Sequence, residues 1–382
     1  MTNNLKLISK KALKSSLSSV PTFNFHARQI KPIEGYSKEH LKSFEIFNKM
    51  NAKFRVAVIN KCNMNCFFCH NEGMKNPRSP GDKVPLSKTY DETLNIDKLS
   101  KLMNDFCDLG GGQLNITGGE PLARKDIVQV LKNINKQGTR IIINSNVLLA
   151  DRLLKEPAVK SVDAIYASLH TTKESDFKEN LGINAGAKKV MENMIKLQQH
   201  GYRVQINYSL GEYNKNEFES VMDYAIKNQI DLKAITLIRS DADTEQYGKN
   251  KDWCNPKWIE DLLIKKNAKQ IEKREGFGGR VKAYRVDGQK THKIEIKNVG
   301  RGRLVTDFCK GCKHFDKCGE GIYALRSGVD GIWKPCLLNH DKHSSINLPE
   351  DNDMDFKPQI LQQIHNMVGE WGNHQFYEGD PK

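Results

Sequence analysis

Between residues 54 and 238, short apolar or β-branched runs alternate with amphipathic stretches, and this rhythm restricts the fold more than any other property of the chain. Runs at 54–60, 113–117, 140–144, 163–169, 203–210 and 232–238 have the length and make-up of buried strands, while 96–108, 125–136, 185–200 and 216–227 carry apolar residues at helical spacing. Strands joined through single helices lie parallel, because each helix returns the chain to the same end of the sheet. The expectation is an α/β fold: a partial (β/α)6 TIM-like barrel whose functional groups gather at the C-terminal ends of its strands. A chain of 382 residues is long enough to bury such a core.

The flanks break the rhythm. Residues 1–53 form an N-terminal extension, with an amphipathic basic helix expected within residues 1–15, a connector around Pro32 and Gly35, and a helix over 38–49. The barrel occupies 54–250. Asn255-Pro256 opens a helix expected to run to about Glu275, where Gly276, Gly278 and Gly279 end it. Runs at 281–286 and 293–296 flank Asp287-Gly288, a hairpin signal. Residues 251–340 are therefore expected to be a small α+β module closing the open side of the barrel, followed by a polar tail, 341–382, with a short helix over 360–368.

The cysteines fall in the loop after the first strand and in this C-terminal module. Cys62, Cys66 and Cys69 stand within eight residues, and Cys309, Cys312, Cys318 and Cys336 form a second group. Thiolates at that density are soft ligands suited to iron–sulfur clusters or zinc. Structural zinc takes four ligands and commonly uses paired CxxC knuckles. Three thiols instead leave a four-iron cluster with one open iron, able to bind a small molecule and pass it an electron. Cys107 and Cys254 stand apart and are expected to be small buried hydrophobes.

An odd total of nine cysteines, with no apolar signal segment and no apolar run near 18 residues, points to a reducing, cytoplasmic setting with no membrane span. The formal net charge of +14 favours anionic partners: a phosphorylated substrate or an acidic electron donor. A solvated lysine-rich surface accounts for it equally well. The basic residues lack the aromatic interleaving of a single-strand groove, so nucleic acid is not expected.

CxxxCxxC after the first strand of a barrel resembles the radical S-adenosylmethionine (SAM) superfamily, and the likeness extends further along the chain. It implies that Cys62, Cys66 and Cys69 hold a [4Fe–4S] cluster, that Phe68 lies against adenine, and that Gly118-Gly119-Glu120-Pro121 receives the methionine ammonium. It likewise implies that Ser145, Asn146 and Ser168 contact the ribose or carboxylate. In such enzymes the reduced cluster cleaves SAM, and the 5′-deoxyadenosyl radical abstracts hydrogen from substrate while a flavodoxin- or ferredoxin-type donor supplies the electron.

Residues 114–126 and 323–337 are similar to the GTP cyclase branch of molybdenum-cofactor synthesis, which implies a second [4Fe–4S] cluster on Cys309, Cys312 and Cys336. Here Cys318 offers a fourth thiolate, which would close that cluster to substrate. Arg55 and Arg326 keep the branch's basic character, and Arg301 and Arg303 are further anion ligands, but Asn115, Ala324 and Gln205 are not basic where that branch is. A triphosphate needs dense cationic pairing, so the expected substrate is a small nucleotide-like or phosphorylated molecule other than GTP. The alternative is a maturase that modifies a ribosomally made peptide, because the spacing of Cys309, Cys312 and Cys318 also resembles such enzymes. The oligomeric state is left open.

Overall fold

The computed structural model describes residues 5–6, 36–69, 94–183, 186–237, 254–276, 278–286, 288, 292–305, 309, 311–312, 322–329, 332–337, 344–345, 355–371 and 375–377. In chain order these form β1 (Leu5–Lys6), α1 (Lys38–Lys49), β2 (Lys53–Ala57), α2 (Ile96–Asp108), β3 (Gln113–Thr117), α3 (Ile127–Lys132), β4 (Arg140–Ser145), α4 (Asp151–Leu154) and β5 (Ala164–Ser168). There follow α5 (Glu174–Leu181), α6 (Ala187–Gln199), β6 (Val204–Leu210), α7 (Phe218–Lys227), β7 (Asp231–Thr236), α8 (Lys257–Lys265), β8 (Ala268–Gly276) and β9 (Gly278–Val286). The last elements are β10 (Ile294–Val305), β11 (Ala324–Ser327), β12 (Ile332–Lys334), β13 (Ser344–Ser345), α9 (Lys357–Trp371) and β14 (Gln375–Tyr377).

Strands β2 to β7 pair in sequence order and in parallel, as the alternation requires. The fold is α/β with the parallel sheet of a partial barrel. Two further strands lengthen the parallel run: β10 adds beside β7, and β11 adds beside β2. Both come from the 251–340 region, which thus contributes to the two ends of the barrel sheet. Beyond them the pairing turns antiparallel, with β12 and β13 on one side and β9, β14 and β1 on the other.

Strand alternation separates two surfaces. Phe54 and Val56 of β2, Leu114 and Ile116 of β3, and Ile141 and Ile143 of β4 face the helices and are fully buried in one core. The residues between them, including Lys53, Arg55, Asn115 and Asn144, are mostly polar and occupy the other surface, the barrel lumen. Phe54 sits at the centre of the outer core, with Phe106 of α2 at 5.0 Å between ring centroids and Trp333 of β12 stacked at 5.5 Å. It therefore ties the first barrel strand to a helix and to the C-terminal strands at once.

Helices expected over 38–49 and 96–108 form as α1 and α2, with Ser37 and Asn95 capping their first turns. The tail helix forms as α9 and packs on α1, where Ser43 Oγ meets His365 Nδ1 at 2.9 Å. The runs that flank Asp287-Gly288 pair antiparallel as β9 and β10, and Asp287 itself lies outside the described residues.

Two expectations are corrected. The helix opened by Asn255-Pro256 ends at Lys265, and 268–276 is strand β8. Asn267 adopts left-handed backbone (φ 57°) and redirects the chain, after which β8 gains a ladder with β9 that outweighs the helical propensity of Ala-Lys-Gln-Ile-Glu-Lys-Arg-Glu. At the N-terminus Leu5–Lys6 is a short strand on β14 and not a helical turn, and most of the expected basic helix lies outside the described residues.

Replacing Phe54 by Ala removes a fully buried ring that bridges three elements. The expected loss is about 3–5 kcal/mol of unfolding free energy. Denaturant titration of the purified protein measures it.

Candidate functional site

The loop carrying the first three cysteines leaves β2 and is laid directly on the turn after β3. Val58 N–H donates to Thr117 O at 2.9 Å, Gly119 N–H to Ile59 O at 2.7 Å and Glu120 N–H to Lys61 O at 2.8 Å. No side chain fits between these backbones. A Cβ on Gly118 would stand 2.1 Å from Ile59 O, and one on Gly119 would stand 2.1 Å from Lys61 O; Gly118 also has φ 136°. The glycines are thus explained by the approach of the cysteine loop itself.

The loop is held on its other side by α5. Asn65 N–H donates to Leu181 O at 2.9 Å. Cys62 and Cys66 are half-buried and Cys69 is exposed. Arg124, 3% exposed, donates to Val58 O and Leu94 O and pairs with Asp126, which fixes the root of the loop.

The Glu120 carboxylate is held by the protein's own donors. It is 1% exposed; Oε1 accepts from Leu122 N–H at 2.9 Å and Ser145 Oγ at 2.7 Å, and Oε2 accepts from Asn146 N–H at 2.7 Å. Burial pushes its carboxyl up, against three donors that pull it down. Ser145 donates its hydroxyl to Glu120 and accepts from Val147 N–H at 2.9 Å. Asn146 extends the chain of contacts, its Nδ2 donating to Asn63 Oδ1 at 2.7 Å and lying 4.0 Å from Cys62 Sγ. Met64 N–H reaches the same sulfur at 3.4 Å. A continuous set of hydrogen bonds therefore links the turn after β3, the end of β4 and the first cysteine.

An aromatic group stands beside the third cysteine. Phe68 stacks on Tyr213 at 5.4 Å and meets His170 edge-on at 5.0 Å, while Phe67 meets Tyr213 edge-on at 4.9 Å. His170 follows β5, two residues after Ser168, and is 6% exposed. Its Nδ1 accepts from Ser209 N–H at 3.0 Å, so the neutral ring carries its proton on Nε2. Burial pushes its pKa down to about 4. His170, Tyr213 and Asn63 carry no motif in the sequence; His170 directly follows the strand expected over 163–169, and Tyr213 has no local signal.

The second cysteine group is described in part. Cys309 and Cys312 are half-buried and joined by Cys312 N–H to Cys309 O at 3.2 Å, and Cys336 is 8% exposed just after β12. Cys318 lies outside the described residues. Arg55 and Arg326 are register partners on β2 and β11, and Arg326 donates to Ala324 O at 3.1 Å and Pro335 O at 3.4 Å. Arg301 and Arg303 lie on β10, with their side chains outside the described part. Cys107 and Cys254 are buried in the core, as expected, with thiols pushed up to about 11 mainly by that burial.

Residues 56–225 match the model of the radical SAM superfamily. Over those residues the chain carries a radical SAM domain. It is 26% identical over 322 residues to a probable GTP 3',8-cyclase of Methanococcus vannielii, covering 84% of this chain and 96% of that one. It is 28% identical over 320 residues to a GTP 3',8-cyclase of Clostridium perfringens, covering 81% and 87%. The structure of Streptococcus suis SuiB bound to precursor peptide SuiA is similar with a TM-score of 0.53 at 14% identity, over 86% of this chain and 69% of that chain, a likeness of fold alone.

The loop has the donor set of a [4Fe–4S] cluster, although among the described residues no three His, Cys, Asp or Glu side chains are already grouped to hold a metal ion. Cys62, Cys66 and Cys69 share one short loop, Cys62 already receives N–H donors of the kind that stabilise a thiolate, and the loop rests on a rigid backbone seat. Gly118→Ala is expected to displace that loop. The measure is iron bound after anaerobic reconstitution, which falls severalfold while the circular dichroism spectrum keeps its α/β shape.

His170 yields a pH test. The unfolded ring protonates near 6.5 and the folded one near 4, so between those values the unfolded state holds more protons. Stability is lost as pH falls through that window, by up to about 3 kcal/mol, and the loss is complete below the folded value. His170→Gln is expected to lack that component in parallel denaturant titrations.

Proposed function

We propose that this radical SAM enzyme abstracts hydrogen from a small anionic substrate, nucleotide-like or phosphorylated, in a cyclisation or other rearrangement. The observation that carries the reading is the seating of a three-thiol loop on the Gly118-Gly119-Glu120-Pro121 turn, at the mouth of a barrel whose lumen holds Arg55 and Arg326. When bound, a [4Fe–4S] cluster on Cys62, Cys66 and Cys69 together with SAM supplies one-electron cleavage and a hydrogen-abstracting carbon radical.

The chain's own residues do the rest. The Glu120 network fixes Asn146 and the backbone after β4 beside the first cysteine, which orients donors and acceptors before any ligand arrives. Phe68, packed on Tyr213 and His170, offers a ring held in place by its neighbours. Neutral His170 keeps an N–H donor at this rim throughout the physiological pH range.

A second cluster on Cys309, Cys312 and Cys336 belongs to the same proposal, with Cys318 as a fourth thiolate, as does a flavodoxin- or ferredoxin-type donor attracted by the +14 charge. No helix among the described residues is long and apolar enough to cross a membrane.

Anaerobically reconstituted protein is expected to contain about eight irons per chain, the sum for two four-iron clusters. Under strong reductant it should release 5′-deoxyadenosine from SAM, and Cys66→Ala should release none. A wild-type protein that releases none, or that holds near four irons, removes the radical reading or the second cluster respectively.

A further inference from the structure

We propose that Asn146 is a positioning residue that sets the electron affinity of a cluster on Cys62, Cys66 and Cys69, its side-chain amide being aimed at the first thiolate by a strained turn after β4. The inference deepens the reading above and rests on it for the identity of the cluster.

The turn is unusual in its backbone alone. Val147 adopts a left-handed conformation (φ 52°), which a β-branched residue rarely does, and its side chain is fully buried. Strain of this kind persists only where the surroundings hold it from several sides. Here Val147 N–H donates to Ser145 Oγ at 2.9 Å, and Asn193 Nδ2, from a side chain 2% exposed, donates to Val147 O at 2.8 Å. Asn146 N–H donates to the buried Glu120 Oε2 at 2.7 Å. The peptide units on both sides of Asn146 are thus fixed.

The same turn decides which way the Asn146 amide faces. Its Oδ1 accepts from Leu148 N–H at 3.1 Å, so the oxygen is turned to the strand end and the nitrogen to the cysteine loop. Nδ2 carries two hydrogens. It donates to Asn63 Oδ1 at 2.7 Å and stands 4.0 Å from Cys62 Sγ, at the outer reach of an N–H···S contact. The Cys62 thiol in turn lies 3.9 Å from Asn63 Oδ1. When that thiol gives up its proton to bind iron, sulfur and amide oxygen repel each other. The Asn146 amide relieves this, because it draws charge from the oxygen and presents its positive dipole end to the sulfur.

Hydrogen bonds to the sulfurs are among the levers that set iron–sulfur potentials. One-electron reduction adds negative charge that the sulfurs share, so a donor beside Cys62 favours the reduced state and makes the centre easier to reduce. Met64 N–H, 3.4 Å from the same sulfur, acts from within the loop and belongs to the backbone. Asn146 acts from another strand through a side chain. The strain at Val147 is thereby given a reason, since it holds an amide on this sulfur.

The test is a redox titration of full-length, anaerobically reconstituted protein followed by electron paramagnetic resonance. The signal read is the one that changes when SAM is added, because SAM binds a cluster with an open iron. Asn146→Leu removes the donor at similar size and is expected to lower the midpoint potential, so that the ratio of reduced to oxidised cluster at a fixed solution potential falls about tenfold, or about 59 mV for one electron. Asn146→Asp keeps the shape and the acceptor for Leu148 but turns an oxygen toward the sulfur, and it should lower the potential further. Iron content and circular dichroism accompany each titration, and the isosteric Asp variant decides the matter where the Leu variant fails to fold. An unchanged or higher potential in both variants, or loss of the signal from both, overturns the inference. The two proposals fail separately: a wild type without a SAM-responsive signal removes the radical reading, whereas release of 5′-deoxyadenosine by wild type with unshifted variant potentials removes only the role of Asn146.

Discussion

Everything at the mouth of this barrel depends on one close approach, the backbone of Ile59 to Lys61 lying directly against Gly118 and Gly119. Backbone groups paired at 2.7–2.9 Å leave the cysteine loop little freedom to drift, so three thiols that are adjacent in sequence also keep a fixed orientation to the strands. Glu120 then follows from the same contact. Its main-chain N–H is used by Lys61 O, and its side chain is turned inward to collect Ser145 and Asn146. Such a network is satisfied internally, which makes a buried carboxylate tolerable and gives the site a pre-set shape.

A second constraint is the division of each strand between an apolar face and a polar one. The outer face supplies the stability through Phe54, Val56, Ile116 and their neighbours. That leaves the lumen face free to hold lysines, arginines and amides that a packed core would exclude. Lys53 bears the consequence most visibly, since its amine loses hydration and gains like-charged neighbours at once.

The barrel was legible because strand and helix periods differ and the chain obeys both from β2 to β7. The error at β8 is instructive. Residues 268–276 favour helix by local propensity, and the hairpin ladder with the next strand, β9, decides otherwise. At the site, CxxxCxxC and the Gly-Gly-Glu-Pro turn were visible as motifs, but the destination of Glu120 was not, because its partners lie 25 and 26 residues away. His170 and Tyr213 were hidden for the same reason, meeting Phe68 only after folding. The lumen lysines left a local trace, in Lys53-x-Arg55 and Glu295-x-Lys297, where charge recurs at strand period within otherwise apolar runs. That trace is read only by asking which face each residue occupies.

Tyr323 stands where the two ends of the parallel run meet, since among the described residues no ladder joins β10 to β11. Its ring is contacted by Lys297 from β10 and by Arg326 from β11, in place of backbone hydrogen bonds. Contacts of this kind are individually weak and have no fixed register. Among the described residues the run is thus joined by backbone ladders from β10 to β11 by way of β2 to β7, while its two ends meet through the Lys297–Tyr323 side-chain contact.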